Sequence, residues 1–261
     1  MFEQEISAYE SLRQEYQAEV ASRMDHRQWM EYNEVLFSTH SCAIEGNTFT
    51  VDDSRILREK GMAMVPVGHT LLECAEMTDH FRAFDFLASH LDSPFDETLL
   101  KEVNRLVTEH TIAYLKPGAT PGDYTTEDMA AGDTIFGRHE ELVARLPQLM
   151  SSTQNAIDSG MHPMVVAARW HGYFIYLHPF RDGNGRTGRL MSNFILMKAQ
   201  HALLIIPVEK RNEYISALKA IRQEGTDEFL IAFFFNTAME RMREELTQKS
   251  NNTNNLFTLS F

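Results

Sequence analysis

The chain has 261 residues, of which 43% are hydrophobic and 23% charged. That is the make-up of an ordinary folded protein and excludes a mostly disordered chain, a collagen-like fibre or a disulfide scaffold. Its 24 basic and 37 acidic residues leave a net charge of −13, which argues against generic binding to nucleic acid or to an anionic membrane. Cys42 and Cys74 are too few for a four-ligand zinc site or a staple framework, so a reducing, cytoplasmic setting is expected. The acidic Met1–Glu5 start lacks the features of a signal peptide, and the apolar run Phe229–Phe235 is far too short to span a bilayer.

The apolar spacing is mostly helical. Tyr9, Leu12, Tyr16, Val20 and Met24 predict a helix over about 3–36. A short helix is predicted over 39–45, stopped by Gly46, and Thr50 or Asp52 can cap another that ends at Gly61. Residues 61–69 read as a loop. Long amphipathic patterns follow at 70–91 and 96–110. From Pro117 to Gly137 the helical pattern breaks, and glycines interleaved with Tyr124, Thr125, Thr134, Ile135 and Phe136 fit a small β-hairpin. Helix resumes at about 139–158. Residues 163–177 and 190–200 are apolar almost all round and are predicted core helices. Helices at 209–223 and 227–247 complete the pattern, and the Asn-rich tail from Ser250 reads as mobile. The expected fold is all-α with one small hairpin.

The most polar short segment lies between the two core helices: His178-Pro-Phe-Arg-Asp-Gly-Asn-Gly-Arg-Thr-Gly-Arg189. Pro179 stops the preceding helix, and Gly183 and Gly185 allow the backbone to approach a ligand closely. A new helix starts at about Gly185, so its free N–H groups face back into the loop and attract anions. Arg186 and Arg189 sit in that first turn, where positive charge is unfavourable unless an anion is held there by both guanidinium groups. A polyphosphate fits best. Asp182 beside it suits Mg²⁺, and His178 is the one side chain in the segment able to act as a general base near neutral pH.

This segment resembles the signature of the Fic family, His-Pro-Phe-x-Asp/Glu-Gly-Asn-Gly-Arg-x-x-Arg, at every specified position. The resemblance covers about residues 95–240, with 1–94 as an N-terminal helical extension and 241–261 as the end of the last helix and the tail. It implies a helical enzyme that transfers AMP from ATP, with Mg²⁺, to a hydroxyl of a target protein. In that reading His178 deprotonates the hydroxyl, Asp182 holds Mg²⁺, and Gly183, Asn184 and Gly185 stabilise charge at the α-phosphate. Arg186 meets the β-phosphate and Arg189 the γ-phosphate, while Phe180 anchors the loop by packing. Ser41-Cys-Ala-Ile-Glu45-Gly46 resembles the family's inhibitory motif, whose glutamate pairs with the second motif arginine, here Arg189. Residues 117–137 resemble its flap, which holds the target protein by strand addition. Gly122-x-Tyr124 fits the flap's opening, but Thr125 stands where the family commonly has Arg, which puts the register in doubt.

Other readings compete. Some relatives with an inhibitory glutamate remove AMP instead, and others transfer a different phosphate-containing group. A nucleotide-sensing binding module is the non-enzymatic alternative, though pure binding needs no base at 178. The short Asn-rich stretch after the core leaves no room for the DNA-binding domain of some relatives, so no DNA partner is expected. Self-association could gate Glu45. His171 reads as packing, and His80 shows no ligand spacing.

Overall fold

The structure is a computed structural model that describes residues 2–23, 25–131 and 134–251; the predicted mobile tail lies largely outside the described residues. The chain is all-α, with the helices α1 Glu3–Glu19, α2 His26–Ile44, α3 Val51–Lys60, α4 Leu71–Ser89, α5 Glu97–Thr108 and α6 Ile112–Leu115 in its first half. Two short antiparallel strands follow, β1 Ala130–Ala131 and β2 Thr134–Ile135. The second half holds α7 His139–Asp158, α8 Pro163–Leu177, α9 Asn184–Lys198, α10 Arg211–Gln223 and α11 Glu228–Asn251.

The centre is the antiparallel pair α8 and α9, as their all-round apolar sequences predict. Trp170, Phe174, Leu190, Phe194 and Leu196 are all buried there. The two helices approach closely because Gly188 has no side chain: a β-carbon at that position would lie 2.9 Å from the His171 ring. His171 is packing, as read from the sequence; it is fully buried with its Nε2 2.6 Å from the Tyr214 hydroxyl. Around this pair, α7, α10 and α11 pack on α8, while α5, α4 and α2 pack on α9.

The predicted single helix over 3–36 is divided in the structure. Asp25 accepts from the N–H groups of Arg27 and Gln28 and so caps a second helix. Nor is there a break near 36–39, since α2 runs unbroken to Ile44. The polar run Ser38-Thr39-His40-Ser41 resembles a helix end in sequence, but its hydroxyls are satisfied inside the fold. Thr39 donates to the Val35 carbonyl, and Ser38 and Ser41 flank the His80 ring. Thr50, not Asp52, caps α3, in a reciprocal box with Asp53.

The N-terminal helices share the main core. Tyr9 and Tyr16 of α1 and Phe37 of α2 belong to the same buried cluster as α8, α9 and α11. Polar contacts fasten α1 down: Tyr16 donates to Glu245 at 2.6 Å, and the Tyr9 hydroxyl meets His201 Nδ1 at 3.1 Å. His162 Nε2 meets Glu10 at 3.2 Å, while its Nδ1 accepts from the Met164 N–H and caps α8. No helix of the described residues is long and apolar enough to cross a membrane.

Candidate active site

The loop 178–183 joins the two central helices, so its ends are fixed by the best-buried part of the molecule. His178 terminates α8 in the left-handed region, at φ +50°, and its N–H closes on the Phe174 carbonyl. A non-glycine residue in that conformation is held by its surroundings. Here the Phe136 ring, just after β2, stacks on the imidazole with centroids 3.6 Å apart. Burial pushes the His178 pKa down to about 4, against the opposing influence of the Ile175 carbonyl and Glu45. The ring is therefore neutral and able to accept a proton at ordinary pH.

Phe180 is buried beneath the loop against Phe174 and Tyr124, the packing anchor read from the sequence. Asn184 sits differently from the expectation that its side chain faces an anion. Its Oδ1 accepts from the Phe180 N–H at 3.0 Å and its Nδ2 donates to the Phe180 carbonyl at 2.7 Å. The side chain clasps the loop, and what Asn184 can offer an anion is its backbone N–H at the start of α9. Gly183, at φ +75°, packs so tightly on α5 that a β-carbon would meet Thr108 at 2.6 Å. Asn104 of α5 binds this corner together by donating to the Asp182 carbonyl and to Thr187, while accepting from the Gly122 N–H.

The first turn of α9 carries the charged groups. No side chain caps it, so its leading N–H groups and its dipole are open to an anion. Arg186 and Arg189 are both almost fully buried. Arg189 donates from Nε to the Ser41 hydroxyl at 3.0 Å, and from Nη2 to the Ser41 carbonyl and to Glu45 Oε1, each at 2.7 Å. Arg186 forms a close ion pair with Glu76 of α4, Nη1 to Oε1 at 2.7 Å but out of hydrogen-bond alignment, and donates to Asp182 at 3.3 Å, while its buried Nε has no acceptor. The charge that sequence patterning placed at a helix N-terminus is thus compensated by carboxylates from α2 and α4.

Glu45 is the C-cap of α2, just outside the helix rather than inside its last turn. Its carboxylate lies over the start of α9, where a β-carbon on Gly185 would come within 2.1 Å of Oε1. Burial pushes its pKa up, but Arg189, Arg186 and Arg211 outweigh this and hold it below the usual carboxylate range. Ser41 is held from behind by His80, whose Nε2 is 2.9 Å from the same hydroxyl that accepts from Arg189. Burial first, then the neighbouring arginines, push the His80 pKa well down, so the ring is neutral. Sequence reasoning set His80 aside for lack of ligand spacing and passed over Glu76 and Asn104. The available signal was that Glu76 and His80 are four apart on α4, a polar pair turned inward on a helix with an apolar face.

The hairpin expected over 117–137 is shorter in the structure: among the described residues its strands cover 130–131 and 134–135. Ahead of it, Tyr124 bridges Phe180, and Thr125 donates its N–H to the Pro179 carbonyl at 2.7 Å. Thr125 is buried, and its side chain accepts from the Glu127 N–H. That fixes the register where the sequence left it open. Behind the hairpin, Arg222 of α10 donates to the Ile135 carbonyl and lies over the Phe136 ring at 5.0 Å.

The residues suit the groups that the family signature implies. Two buried guanidinium groups, one with an orphaned donor, and an uncapped helix N-terminus suit a polyphosphate. Asp182, whose carboxylate accepts from Arg186 at 3.3 Å, is an oxygen donor of the type Mg²⁺ takes.

Comparison with known proteins agrees with this geometry. Residues 94–196 match the Fic/DOC family. Protein adenylyltransferase Fic of Drosophila yakuba is 30% identical over 188 residues, 71% of this chain and 36% of the relative. The Drosophila melanogaster protein of the same name is equally similar, at 30% over 71% of the chain. The chain thus spans about a third of the length of the curated relatives it matches. Among solved structures, a Fic domain containing signaling protein from Bacteroides thetaiotaomicron superposes with a TM-score of 0.79 at 20% identity, covering 95% of this chain and 97% of that one. Fic-1 from C. elegans superposes with a TM-score of 0.78 at 24% identity, over 95% of this chain and 73% of that one. These place the fold beyond the motif, N-terminal helices included, and the chain carries a Fic domain of the Fic/DOC family at residues 94–196.

Proposed function

We propose that the protein is an adenylyltransferase that moves AMP from ATP to a Ser, Thr or Tyr hydroxyl of a target protein, and that Glu45 restrains it. The observation that carries this is the convergence, at one uncapped helix N-terminus, of Arg186, Arg189 and Asp182 with a neutral His178 one loop away. Its curated relatives are named for the same activity.

The residues divide the work in a chemically consistent way. Arg186, Arg189 and the N–H groups of Asn184 and Gly185 hold the phosphate chain and neutralise the charge that grows on it. Asp182 would hold Mg²⁺, which supplies further neutralisation when bound. His178 takes the proton of the incoming hydroxyl as its oxygen bonds to the α-phosphorus. The bond from that phosphorus to the bridging oxygen breaks, and pyrophosphate leaves. Stacking on Phe136 and the strained backbone fix the imidazole for this step. The hairpin's outer edge, where Ile135 is exposed, offers strand addition to a target segment. Glu45 opposes the reaction by occupying Arg189 and lying across the anion site.

Incubation with Mg²⁺ and ATP labelled at the α-phosphate tests this, on the native chain, Glu45→Gly, and Glu45→Gly with His178→Ala. Strong protein labelling in Glu45→Gly alone is expected. No label in any of them, with ATP binding confirmed, refutes AMP transfer. Removal of AMP from a modified protein is the second reading. Glu45 favours it, because an ionised, partly exposed carboxylate over the anion site could orient water there.

A further inference from the structure

Glu45 is not the only carboxylate on the motif arginines. Glu76 projects from α4 and places Oε1 2.7 Å from Arg186 Nη1. Its other oxygen accepts from Asn47 Nδ2 at 2.8 Å. Asn47 is buried and fixed on every side. Its Nδ2 also reaches the Glu73 carbonyl, its Oδ1 accepts from the Phe49 N–H, and its own N–H meets the Cys42 carbonyl. Only Gly46 separates Asn47 from Glu45. The turn that closes α2 therefore touches both motif arginines: directly through Glu45 to Arg189, and through Asn47 and Glu76 to Arg186.

The two carboxylates are not equivalent. Glu45 lies over the start of α9, in the way of an anion. Glu76 engages Arg186 from α4, on Nη1, while Nη2 points to Asp182 on the loop side. An arginine offers five N–H groups in a rigid fork, so one edge can be held while another serves a ligand. A flexible, buried guanidinium without Glu76 would lose both its orientation and its compensating charge.

We infer that Glu76 is a positioning residue: held by Asn47, it orients Arg186 for the second phosphate of a nucleotide. This rests on the reading in which Arg186 meets that phosphate. Glu76 then acts in the opposite sense to Glu45, supporting nucleotide binding rather than opposing it.

The test is calorimetric titration of AMP, ADP and ATP, each with Mg²⁺, into Glu45→Gly and into Glu45→Gly with Glu76→Gln. Dissociation constants for ADP and ATP are expected to rise about tenfold, the effect of losing one close charge pair on a buried guanidinium, while AMP stays within about twofold. AMP lacks the second phosphate, so its binding doubles as a check on folding. If the Gln variant does not fold, Asn47→Ala decides, with the same pattern at smaller size. Tighter ATP binding would make Glu76 a competitor like Glu45 and overturn the inference. So would an equal loss for all three nucleotides, or no loss. If Glu45→Gly itself binds no nucleotide, the adenylyltransferase reading falls as well. If it binds all three and the second substitution changes nothing, only the role of Glu76 falls.

Discussion

Replacing Glu45 by glutamine changes charge without changing shape, and the structure predicts effects of opposite sign on stability and on nucleotide binding. The native carboxylate accepts from Arg189 Nη2 at 2.7 Å, and Arg189 has two further bonds to Ser41. A hydrogen bond to a charged partner is worth roughly 1.5–3 kcal/mol and a neutral one about 1. The Glu45 side chain keeps 38% exposure, so the lower end applies. The variant should lose about 0.5 kcal/mol, or roughly 1–2 °C in melting temperature for a chain of this size. Against this, a phosphate on Arg189 would lie within about 4 Å of the carboxylate, where like charges repel by about 4 kcal/mol at an effective dielectric of 20. Halving that for solvent leaves about 2 kcal/mol, or about 30-fold in ATP affinity. Calorimetric titration and thermal melting on the same preparation measure both. A chain that melts lower and binds ATP no better would refute the placement of Glu45 in the anion site.

Further outcomes follow from neighbouring contacts. His80→Ala removes the support behind Ser41 and should raise labelling without any change to the motif; unchanged labelling in a folded variant would show that Arg189 and Glu45 hold the turn unaided. Thr125→Pro removes the N–H donated to the Pro179 carbonyl; if the hairpin holds the target as proposed, transfer should collapse while ATP affinity, measured by titration, is kept. Gly183→Ala forces a β-carbon into Thr108 at a positive φ and should cost about 2–4 kcal/mol, from overpacking and left-handed strain together; a melting curve like that of the native chain would contradict the tight seat of the loop on α5. His178 has its pKa depressed to about 4, and His171 and His201 lie similarly low, at about 3 and 4. Each is neutral when folded and protonated when unfolded between that value and about 6.5, so stability is full above about pH 6.5 and is lost as the pH falls through the window. Acid unfolding monitored by circular dichroism checks this, and the transfer rate should stay flat down to about pH 5 rather than titrate near 6.5.

The sequence made the centre of the molecule legible because α8 and α9 are apolar on every face and the loop between them is not. Nothing else in the chain pairs that contrast with a glycine-spaced run of charge. The Ser41–Gly46 turn was legible as a motif, but its seating was not. The polar residues from Ser38 read as the boundary between two helices, since local patterning cannot show that a histidine about forty residues on meets the hydroxyls of Ser38 and Ser41. Asn104 was invisible for the same reason, and Glu76 showed only its spacing from His80, because each acts on a partner distant in sequence. Asn184 shows the converse. The motif fixes its identity, but only the fold shows its amide turned back onto Phe180.

The seating of Glu45 has a consequence for how the protein could be switched. The acid is ionised throughout the neutral range and loses its charge only below the usual carboxylate pKa, while the His80 ring behind Ser41 resists protonation far into acid. Modest shifts in acidity therefore leave the Glu45–Arg189 pair, the latch in the proposed function, untouched. What holds it is position: α2 runs unbroken into the turn, and α4 wedges that turn against α9. Release becomes a mechanical event, a displacement of the α2 end relative to α9, and whatever pulls or pushes on that helix would set how often the anion site stands open.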